Sequence, residues 1–342
     1  MERMYKEYTY KIHDKDNVFK KTLLNSKLKT GGVEFTRTIN QGYWAVTLSY
    51  DTLHSANDLA LFDVVYIYYW AVLVYRGYIS LYTEIVKDSK EYIDIRIDGM
   101  QSILKHCLYT YTSNETFTRT ADPATMLAEI LTVVNTNRGR TIFDTTITSY
   151  WTNLVIDFDY DTGLTALNKI MSNIEHYIDF LPDGTIVFQA IDETTADHKL
   201  TFEKHISEFS RTTDSLTMSN FVYVKHTAWI ESSQDATSQT TYGLLQSIVR
   251  STAINDDPTG VIRADTEIAN KKDPNEQTIL AVNSQYDLET INIGDTVRIM
   301  NKSNESATNF RSIKKIIYRE NVATLYLSDY DSIEKSLSLL SQ

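Results

Sequence analysis

The sequence contains a single cysteine, Cys107, in 342 residues. One thiol cannot form an internal disulfide, and nothing in the chain resembles a zinc site made of cysteines. Residues 1–20 lack both the apolar core of a signal peptide and the arginine-rich composition of a transit peptide, so we expect no Sec-type export. The most apolar stretch, residues 59–75, is interrupted by Asp63 and is too short and tyrosine-rich for a membrane span, so it predicts two buried strands.

Common catalytic motifs are also missing. The chain has no GxSxG, GxxxxGKS/T or GxGxxG sequence, so it lacks the usual signatures of serine hydrolases, P-loop NTPases and dinucleotide enzymes. Its histidines occur singly and form no HExxH pair, which leaves zinc hydrolysis without support; they are His13, His54, His106, His176, His198, His205 and His226. We therefore predict a protein that is not an enzyme, with no catalytic residue, no cofactor site and no metal site.

One acidic stretch has a partial metal-binding spacing. Residues 156–163, IDFDYDTG, place three aspartates as at the start of a calcium loop, but Thr162 stands where that loop needs glycine and Asn168 where it needs glutamate. We expect instead a strand whose aspartates face solvent while Phe158 and Tyr160 face the core. The last aspartate or the following threonine would then cap the next helix.

Two further candidates for chemistry are weak. Glu175, His176 and Asp179 are near enough in sequence to be imagined as acid and base groups at one helix end, but scattered carboxylates occur in any acidic chain. Cys107 has only the adjacent His106 as an obvious partner, and we expect an inert, buried thiol. Neither candidate changes the prediction of a non-enzymatic protein.

The composition favours a folded, mostly β protein. Hydrophobic residues make up 42% and charged residues 23%, as in ordinary globular chains, and 23 tyrosines accompany 12 phenylalanines and 4 tryptophans. The length suggests two or three domains. A formal charge of −12 opposes tight binding to phosphate backbones, because such binding depends on lysine and arginine.

Residues 1–115 show only strand signals separated by turn-forming residues, which predicts a small antiparallel barrel or sandwich. The predicted strands are 8–14, 44–51, 62–75, 75–86 and the strictly alternating EYIDIRIDG at 91–99. Residues 116–200 differ, with a helix starting at Asp122-Pro123 and another after Asp161. A hairpin around Pro182-Asp183-Gly184 completes this predicted α+β domain.

Residues 201–342 return to strand signals, which lie at 199–202, 220–230, 278–283, 295–300, 311–320 and 321–329. The polar segment 231–243, ESSQDATSQTTYG, predicts a mobile loop. Short helices are expected at 262–271 and, at the C-terminus, at 331–342.

The stretch INIGDTVRIM at 291–300 carries a Gly-Asp pair at the entrance of a strand. We expect Gly294 and Asp295 to make a tight turn into that strand. The flanking apolar side chains should supply core; they are Ile291, Ile293, Val297 and Ile299.

In this order, the segments resemble the tail hub, or baseplate hub, of phage tails and related injection machines. The resemblance covers most of the chain and rests on YTYKIHD, YRGYISLYTEIVKDSKEYIDIRIDGMQSIL, DPATMLAEIL, FDYDTGLTALNKIMSNIEHYIDFLPDGTIVF, SLTMSNFVYV, INIGDTVRIM and RSIKKIIYRE. It implies a mainly β fold of two small antiparallel β-barrel domains, 1–115 and 201–342, with an inserted α+β domain at 116–200.

The resemblance also implies a function. Three copies would form a ring coaxial with the tail tube, between a distal tail or tube protein and spike, fibre or receptor-binding components. DNA would pass during ejection without specific binding, which an acidic lumen favours, although the same charge suits any soluble protein. The expected location is the virion tail tip, after synthesis in the bacterial host cytoplasm, with no membrane span.

Two other functions stay open at this point. A carbohydrate-binding adhesin module would use exposed tryptophans to stack on sugars; Trp44, Trp151 and Trp229 are candidates, whereas Trp70 is expected in the core. A cell-wall hydrolase component would use dispersed carboxylates. A hub should assemble with itself or with tube proteins, whereas the alternatives should bind or cleave glycans.

Overall fold

The first part of the chain forms eight strands, in line with its sequence signals. A computed structural model describes residues 8–24, 33–51, 59–87, 90–150, 152–190, 195–251, 254, 256–300, 311–319 and 321–328. The strands are β1 (Tyr8–His13), β2 (Phe19–Leu24), β3 (Phe35–Thr38), β4 (Gly42–Tyr43), β5 (Val46–Asp51), β6 (Val64–Tyr69), β7 (Val72–Lys87) and β8 (Lys90–Gly99). Six of them form one antiparallel sheet in the order β2-β1-β6-β7-β8-β5.

The apolar run at 59–75 is confirmed as two strands, β6 and β7. They are joined at Trp70 and Ala71, whose φ angles of 42° and 68° give the twist of a two-residue hairpin turn. The expectation that Trp70 lies in the core is wrong, because the turn carries its side chain past the end of the sheet, where it is 56% exposed.

The middle segment contains the predicted helices and hairpin. Its elements are β9 (Thr116–Ala121), α1 (Pro123–Asn137), β10 (Leu154–Asp159), α2 (Gly163–Met171), β11 (Tyr177–Phe180) and β12 (Ile186–Gln189). Asp122 caps α1 by accepting from the Ala124 amide at 2.8 Å, and Thr162 caps α2. Phe158 is buried as expected, but Tyr160 is 66% exposed because it follows the end of β10 with a φ of 48°.

A second sheet collects strands from both ends of the sequence. Its strands are β13 (His198–Thr201), β14 (Ile206–Asp214), β18 (Asn275–Asn283), β19 (Thr296–Met300), β20 (Arg311–Arg319) and β21 (Val322–Ser328), in the order β13-β19-β20-β21-β18-β14. All pairs are antiparallel except β13 with β19, and β3 pairs with β20. Both large sheets are open in the described residues, so the barrel form of the two β domains stays a prediction.

The two large sheets share one hydrophobic core. Tyr10 and Ile95 of the first sheet belong to the same buried cluster as Leu280 and Leu325 of the second. The opposite face of the first sheet contributes to a separate core around α1 and α2. The segments predicted as first and third domains are therefore joined by a shared strand pairing and a shared interior.

A small α/β unit lies between β14 and β18. It contains β15 (Phe221–Lys225), β16 (Ile230–Gln234), α3 (Ala236–Tyr242), β17 (Gln246–Arg250) and α4 (Asp257–Lys271), with strand order β16-β15-β17. The predicted mobile loop at 231–243 is wrong, because it holds most of β16 and all of α3. Backbone pairing with β15 stabilises β16 despite its small polar side chains, and Asp235 caps α3 by accepting from the Ser238 amide at 2.8 Å.

The helix expected at 262–271 is confirmed as α4. It begins earlier, because Asp256 caps it by accepting from the Thr259 amide at 3.1 Å and a proline follows at its start. The predicted C-terminal helix at 331–342 lies outside the described residues. Among the helices of the described part of the chain, none is long and apolar enough to cross a membrane.

The turn before β19 has the predicted form. Gly294 adopts a φ of 83°, which favours glycine, and its amide donates to the Ile313 carbonyl at 2.9 Å. The predicted core side chains beside it are all at most 5% exposed; they are Ile291, Ile293, Val297 and Ile299. A Cβ at position 294 would lie 2.1 Å from the Tyr177 ring, so this turn also fixes the distance between β11 and the second sheet.

A buried ion pair joins the same two regions. Arg37 of β3 and Asp179 of β11 are 3% and 1% exposed, and the Arg37 Nε donates to Asp179 Oδ1 at 3.1 Å while Nη2 donates to Oδ2. Nη1 donates to Asn292 Oδ1 at 3.0 Å. Burial is the largest single influence and opposes the guanidinium charge, but the Asp179 carboxylate together with Tyr43 and Tyr318 raises the pKa of Arg37 above its usual value.

We predict that Gly294→Ala destabilises the protein by about 3 kcal/mol or more, because it combines backbone strain with a clash against Tyr177. The control is Gly139→Ala, where φ is 63° but nothing lies within 4 Å of the new Cβ. That variant should lose only about 1 kcal/mol of unfolding free energy. Urea denaturation measures both, and equal losses would contradict the close approach to Tyr177.

We predict that Asp179→Leu costs about 3 to 5 kcal/mol of unfolding free energy, because it leaves a buried guanidinium without its counter-charge. The double variant Arg37→Met/Asp179→Leu should recover most of that loss, since it removes both charges and keeps an apolar contact. Denaturant titration of the two variants gives the comparison. A double variant no more stable than Asp179→Leu would show that the paired charge is not the source of the loss.

Candidate interaction surfaces

The aspartates of the acidic stretch at 156–163 accept hydrogen bonds from other side chains of the protein. Asp157 accepts from the Thr118 hydroxyl at 2.5 Å and Asp159 from the Thr116 hydroxyl at 3.0 Å, both across the β9-β10 ribbon. Asp161 accepts from Lys169 Nζ at 2.6 Å. In the described part of the chain, no group of three or more histidine, cysteine or acidic side chains is arranged to hold a metal ion.

The candidate acid and base groups His176 and Asp179, which follow α2, contact different neighbours. The His176 ring packs against Tyr150 and Phe188, with centroid distances of 4.7 and 5.1 Å, and burial lowers its pKa. Asp179 is held by Arg37. These two groups therefore do not work as a pair. Cys107 is buried in the core of the α+β unit at 4% exposure, as expected.

The described tryptophans lie in three different parts of the fold. Trp44 lines an open groove of about 400 Å³ between the first sheet and α2, together with Tyr78, Arg96 and Asn168. Trp70 is at the tip of the β6-β7 hairpin, and Trp229 packs its ring onto Gly260 of α4. Trp151 lies outside the described residues. The fold therefore does not gather them into one platform for sugars.

The second half of β7 forms an exposed edge. β6 pairs only with residues 72–78, so Leu81–Lys87, here called the β7 arm, has β8 on one side and no described strand on the other. Leu81, Tyr82 and Val86 are 54%, 40% and 72% exposed. An edge with unpaired backbone groups and exposed apolar side chains is a template for pairing with another chain. The sequence predicted this strand but not its exposure.

No protein-family model and no curated protein matches this sequence. Solved structures do match. The 43 kDa tail protein of prophage MuSo2 from Shewanella oneidensis is 14% identical, with 94% of this chain and 98% of that chain covered and a TM-score of 0.66. The prophage tail protein gp18 from Listeria monocytogenes EGD-e is 12% identical, with 97% of each chain covered and a TM-score of 0.65. A tail protein from Neisseria meningitidis MC58 is 10% identical, with 94% and 96% covered and a TM-score of 0.66.

Each match covers nearly the whole length of both chains. At such low sequence identity a match shows a shared fold but not a shared activity. The matched structures are tail proteins, and the absence of a catalytic role in this chain stays a prediction. The resemblance inferred from the order of its segments is thereby confirmed at the level of architecture: the chain has the fold of phage tail proteins.

Proposed function

We propose that this chain is the structural hub of a phage tail tip or baseplate, forming a threefold ring coaxial with the tail tube. The observation that carries the proposal is the whole-length match to tail proteins of similar size. The two large sheets offer two β units per chain, which become the barrel domains in the assembled ring. Three copies would then present six similar units to a sixfold tube.

The acidic charge of −12 suits this role. A lumen lined by carboxylates would let DNA pass during ejection without retaining it, because like charges repel. The hub would lie at the virion tail tip, between a tube or distal tail protein and a spike, fibre or receptor-binding component. The β7 arm would contribute to one of these junctions by pairing its open edge with a strand of the adjoining tube protein.

The mass of the full chain in solution tests the hub directly. Light scattering should show a threefold mass for the chain alone, or a ring once it is mixed with the tube protein encoded beside it. Electron microscopy of that mixture should show rings stacked on tubes. If the chain stays monomeric, does not bind the tube protein and instead binds a glycan, the hub proposal would be wrong and the adhesin alternative would take its place.

We predict that Leu81→Glu or Val86→Glu in the β7 arm weakens association with the tube protein by about tenfold or more, because a carboxylate is desolvated in the contact. Unfolding free energy should change by less than about 0.5 kcal/mol, since both side chains are largely exposed. Val18→Glu, at a position 62% exposed between β1 and β2, is the control and should bind normally. Normal binding by the arm variants would show that the β7 arm is not part of the contact with the tube protein.

A further inference from the structure

The three-stranded sheet of the small α/β unit has one face covered and one face open. Val222 and Val224 of β15 are fully buried in a cluster with Ala264 and Ile268 of α4. Because side chains alternate along a strand, the neighbouring residues point to the opposite side. This opposite side, here called the open sheet face, carries three rows in register: Gln234-Phe221-Gln246, Ser232-Tyr223-Ile248 and Ile230-Lys225-Arg250.

The open sheet face is apolar at its centre. Ile230 and Ile248 are 56% and 50% exposed, so no element of the described chain covers them. The Phe221 and Tyr223 rings lie side by side with centroids 4.8 Å apart. Leu244, which lies just before β17, is 59% exposed. Exposed aromatic and branched side chains on a regular face are typical of the core of a protein interface.

The charges on this face have one sign. Lys225 and Arg250 are the only charged residues among its nine positions, and they are register partners on neighbouring strands. Like charges directly across a sheet destabilise it unless a counter-charge is supplied. The whole chain has the opposite balance, with 45 acidic and 33 basic residues, so acidic side chains outnumber basic ones on every other copy.

We propose that the open sheet face docks onto an acidic surface of a second copy of this chain, as part of the contact between neighbouring protomers. This inference rests on the proposed hub and deepens it. The face measures roughly 10 by 16 Å from strand spacing and rise, which is enough for the centre of an interface but not for a whole one. A head-to-tail contact repeated three times closes a ring, so each contact can be weak.

Cross-linking identifies what sits on the face. A photoactivatable phenylalanine at position 223 of the full chain, alone or in the complex with the tube protein, should yield a covalent dimer of this chain. Mass spectrometry should place the second copy's cross-linked peptide among aspartates or glutamates. Cross-links formed only with the tube protein, or none in an assembled ring, would overturn docking between copies.

Charge reversal supplies the quantitative test. Ile248→Glu and Lys225→Glu/Arg250→Glu should each raise the dissociation constant for self-association about tenfold or more, with unchanged urea unfolding. The control Lys199→Glu reverses an exposed charge on β13 and should leave association unchanged. Raising the salt concentration should weaken self-association of the wild type more than that of the double variant. Salt screens the attraction of Lys225 and Arg250 for carboxylates, and the double variant lacks this attraction.

The outcomes separate this inference from the hub itself. If the wild type forms rings and the open-face variants form them equally well, the docking face is wrong while the hub stands. If the wild type associates with neither itself nor the tube protein at any concentration, the hub is wrong, and the docking between copies falls with it. Rings lost only in the open-face variants, with cross-links between copies, support both.

Discussion

The buried pair of Arg37 and Asp179 is the interaction on which the arrangement of the chain depends. Each buried ion costs several kcal/mol of desolvation, so the pair is tolerable only with good geometry and further hydrogen bonds. Those come from a two-point contact between the side chains and from Asn292. The three residues belong to an N-terminal strand, the central hairpin and the turn before β19. Any displacement of one region would leave a charge unpaired, so the three must assemble together.

Contacts between uncharged groups stabilise the same junction between β3, β11 and the turn before β19. Asn40 bonds to Ile178 of β11 twice, donating its amide to the carbonyl at 3.1 Å and accepting from the amide through Oδ1 at 2.8 Å. At the start of β11, the absence of a side chain at Gly294 gives room for the Tyr177 ring. The central hairpin is thus fixed to β3 and to the turn before β19. This explains why the two large sheets share a core although the α+β unit separates them in sequence.

Local signals made part of this fold predictable. A helix start at Asp122-Pro123, the alternation of residues 91–99 and the Gly294 turn each depend on a few adjacent residues, and the structure confirms each of them. The pairing of β3 with β20 depends on backbone groups from opposite ends of the chain, which no short pattern encodes. The strand and helix within 231–243 were missed for a related reason, because a neighbouring strand and a capping aspartate stabilise them rather than apolar side chains. The exposed β7 arm likewise follows from the short length of β6.

The distribution of apolar side chains between the core and the surface argues for assembly. Tyr10, Tyr75 and Tyr109 are at most 1% exposed, so much of the tyrosine excess serves the interior of the sheets. Several of the apolar side chains left in solvent lie on a strand edge, the β7 arm, and on the open sheet face. Backbone edges and flat sheet faces are surfaces that complement other polypeptides. A chain that exposes apolar side chains on a strand edge and on a sheet face is suited to being one part of a larger protein assembly.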